Sequence, residues 1–117
     1  MESKDIRPFI PAIELERSRS FYQALGFTSD SATADMIIMS NGVCTFFLYQ
    51  HNKGKLDNDT MFQLVVPNIE TALCSIENIT VFDVKYEPIK EEPWGKVIYL
   101  WGPSGEMWHI TELASNS

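Results

Sequence analysis

The sequence predicts an α+β fold built from two similar modules within one domain. Its segments pass from strand-like alternation to helical spacing and back to alternation, and the same order begins again in the second half. Residues 12–18 (AIELERS) and 66–72 (VPNIETA) lie 54 residues apart, and both run from a strand end into a helix with a glutamate in its first turn. A chain of 117 residues is long enough for one core but not for two independent ones. We therefore expect a single domain, residues 1–117, with module one at about 5–52 and module two at about 60–114.

Module one begins with a strand over residues 6–13, where apolar and other side chains alternate. Residues 14–27 (ELERSRSFYQALGF) carry apolar side chains at helical spacing, and Gly26 is placed to end the helix in the left-handed conformation. Two strands follow, at residues 34–40 and 43–50. Module one thus reads as a strand, a helix and two or three strands.

Module two repeats this order after the polar connector HNKGKLDNDT. A strand at residues 61–68 leads into a short helix that Asn68 should cap. The predicted strands that follow are Thr80–Tyr86, Lys96–Trp101 and Glu106–Thr111. The turns SNG, with the hairpin signal Asn41-Gly42, and PSG lie 63 residues apart, so the extra residues of module two fall in the loop EPIKEEPWG.

Composition narrows the classes of protein. A hydrophobic share of 44% and a charged share of 21% are typical of a folded globular chain. The net charge of −7 and the scattered lysines and arginines argue against nucleic acid as a partner, and the acidity favours cationic partners. The first residues lack the basic start and apolar run of a signal peptide, and no apolar segment approaches membrane-spanning length, so we expect a cytoplasmic protein without a membrane partner. Cys44 and Cys74 have apolar neighbours and no metal-site spacing, and we expect buried, reduced thiols.

Two motifs carry a family resemblance. FIPAIELERSRSFYQALGF resembles the opening strand and helix of the vicinal oxygen chelate superfamily, which includes glyoxalases, bleomycin-resistance proteins and ring-cleaving dioxygenases. PWGKVIYLWGPSGEMWHITE is similar to the closing "PWG … DPDGN … E" hairpin of the same superfamily, and the likeness is greatest to its bleomycin-resistance members. The chain departs from the pattern at Glu14, where an aspartate is usual, and at Gly102 and Ser104, which replace the two turn aspartates.

The resemblance implies two βαβββ modules that form a curved mixed sheet with a cleft, in a homodimer. Metal-dependent relatives place ligands on the first and last strands of each module, and carried over these positions fall on Arg7, Phe46, Met61 and His109. A catalytic zinc needs about three His, Glu, Asp or Cys ligands, and of these four residues only His109 qualifies. We therefore predict no catalytic metal site and no cofactor.

The closing hairpin predicts an aromatic cleft face. With a three-residue turn, Trp101 should pair with Met107, Leu100 with Trp108, and Tyr99 with His109. Tyr99, Trp101, Met107 and His109 then share one face with Thr111, and Ile98, Leu100, Trp108 and Ile110 share the core face. The family analogy adds Arg7, Phe9, Phe46, Met61 and Gln63 to the cleft.

Trp94, in a loop bounded by proline and glycine, is either a lid on the core or part of a stacking wall for a ligand. The leading hypothesis is a binding protein of bleomycin-resistance type, which sequesters a small, flat molecule in an aromatic cleft without metal catalysis. The acidic composition favours a cationic ligand, which the indole faces would attract. Two alternatives stay open: a metal-dependent lyase or dioxygenase of the glyoxalase kind, and a non-catalytic dimeric interaction module. The chain is therefore not firmly assigned as an enzyme or as a non-enzyme, and the ligand-poor positions favour the latter.

Overall fold

The computed structural model describes residues 1–51, 56 and 60–114. The chain divides into two compact units, residues 1–54 and 55–117, and each holds one sheet. No helix in the described residues is long and apolar enough to cross a membrane.

Module one has the order strand, helix and three strands. Its elements are β1 (Phe9–Ala12), α1 (Leu15–Ala24), β2 (Thr28–Thr33), β3 (Met36–Asn41) and β4 (Cys44–Gln50). The strand order in the sheet is β1-β4-β3-β2, with β1 parallel to β4 and the other pairs antiparallel. The first strand is therefore shorter than the sequence predicts, and β2 is the third strand that the pattern left open.

Helix α1 ends as its sequence predicts. Gly26 has a φ of +107° and donates to the carbonyl of Gln23 at 3.0 Å, and Phe27 donates to the carbonyl of Tyr22 at 3.0 Å. This pair of bonds is the Schellman motif, in which glycine accepts the left-handed conformation without a Cβ penalty. At the other end, Glu14 makes no side-chain capping bond to the described residues, consistent with its poor suitability for that position.

The core of module one is an aromatic cluster between α1 and the sheet. The ring of Phe46 lies 5.0 Å from that of Tyr22 and 5.2 Å from that of Phe27, both edge-on. Phe46 is 4% exposed, and Leu48 and Met39 beside it are fully buried. One face of this sheet is therefore closed by the helix.

Module two repeats the arrangement with one interrupted strand. Its elements are β5 (Met61–Val65), α2 (Ile69–Glu77), β6 (Lys85–Tyr86), β7 (Lys90–Glu92), β8 (Gly95–Trp101) and β9 (Met107–Leu113). The strand order is β5-β9-β8-β6, and β7 also pairs with β8. The strand predicted over Thr80–Tyr86 is present only in its last two residues, and part of the loop EPIKEEPWG is strand β7.

The α+β fold of two βαβββ modules is confirmed, with one mixed sheet in each module. Helix α2 is capped as expected, because the Asn68 side chain accepts from the backbone N–H of Thr71 at 2.9 Å. Glu112 on β9 reaches the same helix end, and its Oε1 accepts from the backbone N–H of Ile69 at 2.9 Å. This second bond ties α2 directly to the last strand.

The two cysteines differ from their prediction. Both are free thiols, but Cys44 and Cys74 are exposed rather than buried. Cys44 begins β4 beside the two-residue hairpin turn, and Cys74 lies on the outer side of α2. Apolar neighbours in sequence did not indicate burial here, because the faces of a strand or helix alternate and the thiols fall on the outer one.

Candidate functional site

The closing hairpin has the predicted register. Trp101 pairs with Met107, Leu100 with Trp108 and Tyr99 with His109. The turn closes through a bond from the N–H of Gly102 to the carbonyl of Glu106 at 2.8 Å, and Gly105 adopts a φ of +98°. A type I turn followed by a left-handed glycine adds one residue to the hairpin, and this extra residue fixes which side chains share a face.

The two faces of β8 and β9 differ as expected. Ile98 and Leu100 are fully buried, and Trp108 and Ile110 are 5% and 4% exposed, on the face that α2 covers. The other face carries residues that are partly or substantially exposed. We call this set the aromatic face: Tyr99, Trp101, Met107 and His109, together with Met61 and Gln63 on β5.

Strand β5 aligns with β9 in parallel, so that Gln63 lies beside His109 and Met61 beside Met107. The amide of Gln63 donates to the hydroxyl of Thr111 at 3.3 Å, and that hydroxyl donates to the carbonyl of His109 at 3.0 Å. The pairing therefore brings four of the predicted site residues, Met61, Gln63, Met107 and His109, into contact range on two adjacent strands.

His109 has an unsatisfied polar atom. Its ring meets that of Tyr99 edge-on at a centroid distance of 4.9 Å. Its Nε2 is buried and has no hydrogen-bond partner among the described residues. A buried donor or acceptor without a partner costs about 1 to 3 kcal/mol, so a guest that bonds to this nitrogen would recover that free energy.

Two lysines that the sequence did not single out lie against this face. Lys85 on β6 is the cross-strand partner of Trp101, and its Nζ lies 4.5 Å from the centroid of the indole. Lys90 on β7 places its Nζ 6.0 Å from the centroid of the Tyr99 ring. The charge next to the rings is therefore positive, although the chain as a whole is acidic.

Trp94 lies away from this cluster. It belongs to the turn between β7 and β8, is 48% exposed, and its carbonyl accepts from the N–H of Ala114 at 2.8 Å. Trp101 is at the opposite end of β8, and a strand rise of about 3.3 Å per residue separates the two by roughly 20 Å. Trp94 is therefore not a lid closed over the core, and a small ligand on Trp101 would not reach it.

Phe46 is a correction to the predicted site. The family analogy put it on the cleft face, but it points into the core under α1. Phe9 pairs with Phe47, their rings 4.7 Å apart, just as Gln63 pairs with His109. The counterpart of His109 in module one is thus Phe47, at an offset of 62 residues rather than 63.

Arg7 precedes the first strand and is exposed. Its Nε donates to Asp5 at 3.1 Å, and this bond, with one from the N–H of Ile6, holds the pKa of the Asp5 carboxyl below its usual range. Phe9, also a predicted site residue, is 57% exposed at the start of β1.

The residues at the ligand positions do not fit a metal ion. After correction of the register, these positions hold Phe9, Phe47, Gln63 and His109, and only the histidine is a strong ligand. Glu112 lies on the opposite face of β9 from His109 and bonds to α2. The described residues contain no group of three or more His, Cys, Asp or Glu side chains placed to hold a metal.

These features define a class of fold. Two βαβββ modules in one chain are the architecture that the vicinal oxygen chelate resemblance implies, and comparison with solved structures confirms this fold. Neither a protein-family model nor a curated protein sequence matches the chain.

Three similar structures illustrate the range of proteins with this fold. A bleomycin-binding protein from Streptomyces verticillus, complexed with copper(II)-bleomycin, is 16% identical with a TM-score of 0.81, over 97% of this chain and 99% of that one. A bleomycin resistance determinant encoded on the transposon Tn5 is 16% identical with a TM-score of 0.81, over 97% and 100%. Lactoylglutathione lyase from Agrobacterium tumefaciens is 13% identical with a TM-score of 0.74, over 96% of each chain. At these identities the likeness establishes the fold, which hosts both binding proteins and enzymes.

Proposed function

We propose that the protein is a small-molecule binding protein of bleomycin-resistance type, which sequesters a flat molecule against the aromatic face without metal catalysis. The observation that carries the proposal is the grouping of Tyr99, Trp101 and His109 on the face of β8 and β9 that α2 does not cover. Aromatic contacts contribute roughly 0.5 to 1.5 kcal/mol each beyond the burial of area. The protein would act in the cytoplasm as a homodimer, and its oligomeric state is measured by sedimentation.

The donor set supports binding over catalysis. His109 has Gln63 and Tyr99 as its neighbours instead of further metal ligands. A neutral amide, a phenol and an imidazole can orient a guest by hydrogen bonds, and the adjacent rings can stack on it. The bleomycin-binding proteins of the same fold give the proposal a precedent for binding without establishing the ligand of this chain.

Tryptophan fluorescence offers a direct test, because the three tryptophans occupy distinct environments. Trp108 is 5% exposed in the core, Trp94 is distant from the aromatic face, and Trp101 is on it. In a Trp94→Phe variant, a flat ligand should still quench the emission, and in a Trp101→Phe variant the quenching should be lost. The first titrants are bleomycin and a panel of flat aromatic molecules.

Thermal stabilisation provides the second readout. A ligand at 100 times its dissociation constant stabilises the folded state by about 2.7 kcal/mol. If no member of the panel stabilises the protein, or if quenching persists in Trp101→Phe and disappears in Trp94→Phe, the proposal is wrong.

The alternative is a metal-dependent lyase or dioxygenase of the glyoxalase kind, and the buried Nε2 of His109 is the observation in its favour. Metal analysis of protein purified without a histidine tag decides between the two. A stoichiometric divalent ion that is lost in His109→Ala would replace the first proposal with the second. The third possibility, an interaction module, predicts that the dimer forms and that no small molecule binds.

A further inference from the structure

The charges around the aromatic face identify the class of ligand. Lys85 and Lys90 lie on the two short strands that pair with β8, one near each end of the Tyr99–Trp101 pair. Their ammonium groups reach inward over the indole and phenol rings. The two cations thus bracket two adjacent rings of the same face.

Neither ammonium group is neutralised locally. Among the described residues, no carboxylate oxygen lies within the 4.0 Å of an ion pair with Lys85 or Lys90. Glu87 and Glu92 are on the same edge of the sheet, and the backbone N–H of Glu87 donates to the carbonyl of Tyr99, but neither side chain forms an ion pair with these lysines. The cations are held by the rings alone and are available to a guest.

A cationic guest would compete with these lysines. To stack on Trp101 it would displace the ammonium group of Lys85 or lie beside it with the same charge. The net charge of −7 does not reverse this, since exposed charges farther away than a Debye length of about 8 Å are largely screened at physiological ionic strength. The local lysines decide the preference.

A flat guest with an anionic group fits all three features of the face. Its ring can stack on Trp101 or Tyr99, and its anionic group can pair with Lys85 or Lys90. The buried Nε2 of His109, which has no partner among the described residues, can complete the polar contacts.

We propose that the ligand of this site is an aromatic acid, a flat ring system bearing a carboxylate or another anionic group. This proposal rests on the proposed binding function and names the class of molecule that is bound. It replaces the cationic ligand that the overall composition favours.

Three probes with one ring system isolate the effect of charge: naphthalene-2-carboxylate, naphthalen-2-ylmethanol and naphthalen-2-ylmethylammonium. Calorimetric titration near neutral pH should give the order acid, alcohol, amine. Exposed ion pairs are modest in strength, so we expect the acid to bind about tenfold more tightly than the amine. The difference should shrink at high ionic strength.

Variants locate the preference on the two lysines. Lys85→Gln and Lys90→Gln should each weaken binding of the acid about threefold and leave binding of the alcohol nearly unchanged. Lys85→Arg should retain binding of the acid. Lys96→Gln is the matched control, because Lys96 is an exposed lysine on β8 that points to the opposite face beside Glu112.

The possible outcomes separate this proposal from the function on which it rests. If the amine binds as tightly as the acid, or if Lys96→Gln weakens the acid as much as Lys85→Gln does, the aromatic-acid proposal is wrong and the binding function stands. If none of the three probes binds, both are wrong. Selective binding of the acid that Lys85→Gln and Lys90→Gln reduce, with Lys96→Gln unaffected, supports both.

Discussion

Phe46 and Phe47 are adjacent in sequence but point to opposite faces of β4, and their substitution by alanine tests the corrected register of module one. Phe46 is 4% exposed and touches the rings of Tyr22 and Phe27. Phe47 is half-buried, and its ring contact is with Phe9, itself 57% exposed. The two variants remove the same atoms from different environments.

The expected costs differ by more than the error of measurement. Truncation of a buried phenylalanine to alanine costs about 3 to 5 kcal/mol, because the lost transfer free energy is joined by that of the cavity left behind. For Phe47→Ala we expect about 1 to 2 kcal/mol, since its side chain is already partly in water. A domain of this size has a total stability of about 5 to 15 kcal/mol, so Phe46→Ala should be severely destabilised.

Urea denaturation measures both values. With a slope of about 1 to 3 kcal/mol per molar urea, the midpoint of Phe46→Ala should fall by more than 1 M and that of Phe47→Ala by less than half as much. Phe46→Leu keeps most of the apolar volume and should recover much of the loss, which provides a foldable variant if alanine is not tolerated. Equal costs at the two positions, or a larger cost at Phe47, would refute the assignment of Phe46 to the core.

Three further predictions concern the helix ends and the thiols. Asn68→Ala should destabilise the protein by about 1 kcal/mol through loss of its cap, and Glu14→Asn should stabilise it by roughly 0.5 to 1 kcal/mol by supplying one; both are measured by urea denaturation, and a loss at Glu14→Asn would contradict the capping argument. Gly26→Ala should cost about 1 to 2 kcal/mol because of its left-handed φ, and an unchanged thermal midpoint would show that the helix can end otherwise. Cys44 and Cys74 should both react with a thiol reagent in the native protein, whereas reaction only after unfolding would restore the prediction of buried thiols.

The sequence predicted the closing hairpin well, because every step there depends on local chemistry. Proline and glycine in PSG define the turn, the turn defines the pairing of Tyr99 with His109, and alternation then assigns the faces. No long-range information is needed for any of these steps.

Phe46 was misplaced because its position was carried from one module to the other by counting from the turn glycines. The first hairpin joins Asn41 to Cys44 through two residues, whereas the second places three between Gly102 and Glu106. One residue of difference reverses the faces of every side chain beyond the turn. The repeat predicted the architecture, but the register required the pairing itself.

Lys85 and Lys90 were missed for a different reason. They lie on strands of two and three residues, which are too short to show alternation. Their position against the rings of Trp101 and Tyr99 depends on how these edge segments pair with β8. Overall composition was misleading in the same region, since a net charge says little about the few ångströms around a ring.

The corrected register also shows that the two modules differ in chemistry at equivalent positions. Module one places Phe9 beside Phe47, and module two places Gln63 beside His109. Since phenylalanine has no hydrogen-bonding group, the first pair can offer a guest only apolar and stacking contact, and the second can also donate and accept. Any selectivity for the polar group of a ligand at these positions must therefore arise in module two. His109→Phe, which gives module two the aromatic side chain found at Phe47, should weaken an acid more than the matched alcohol, and equal weakening of both would show that His109 contributes packing alone.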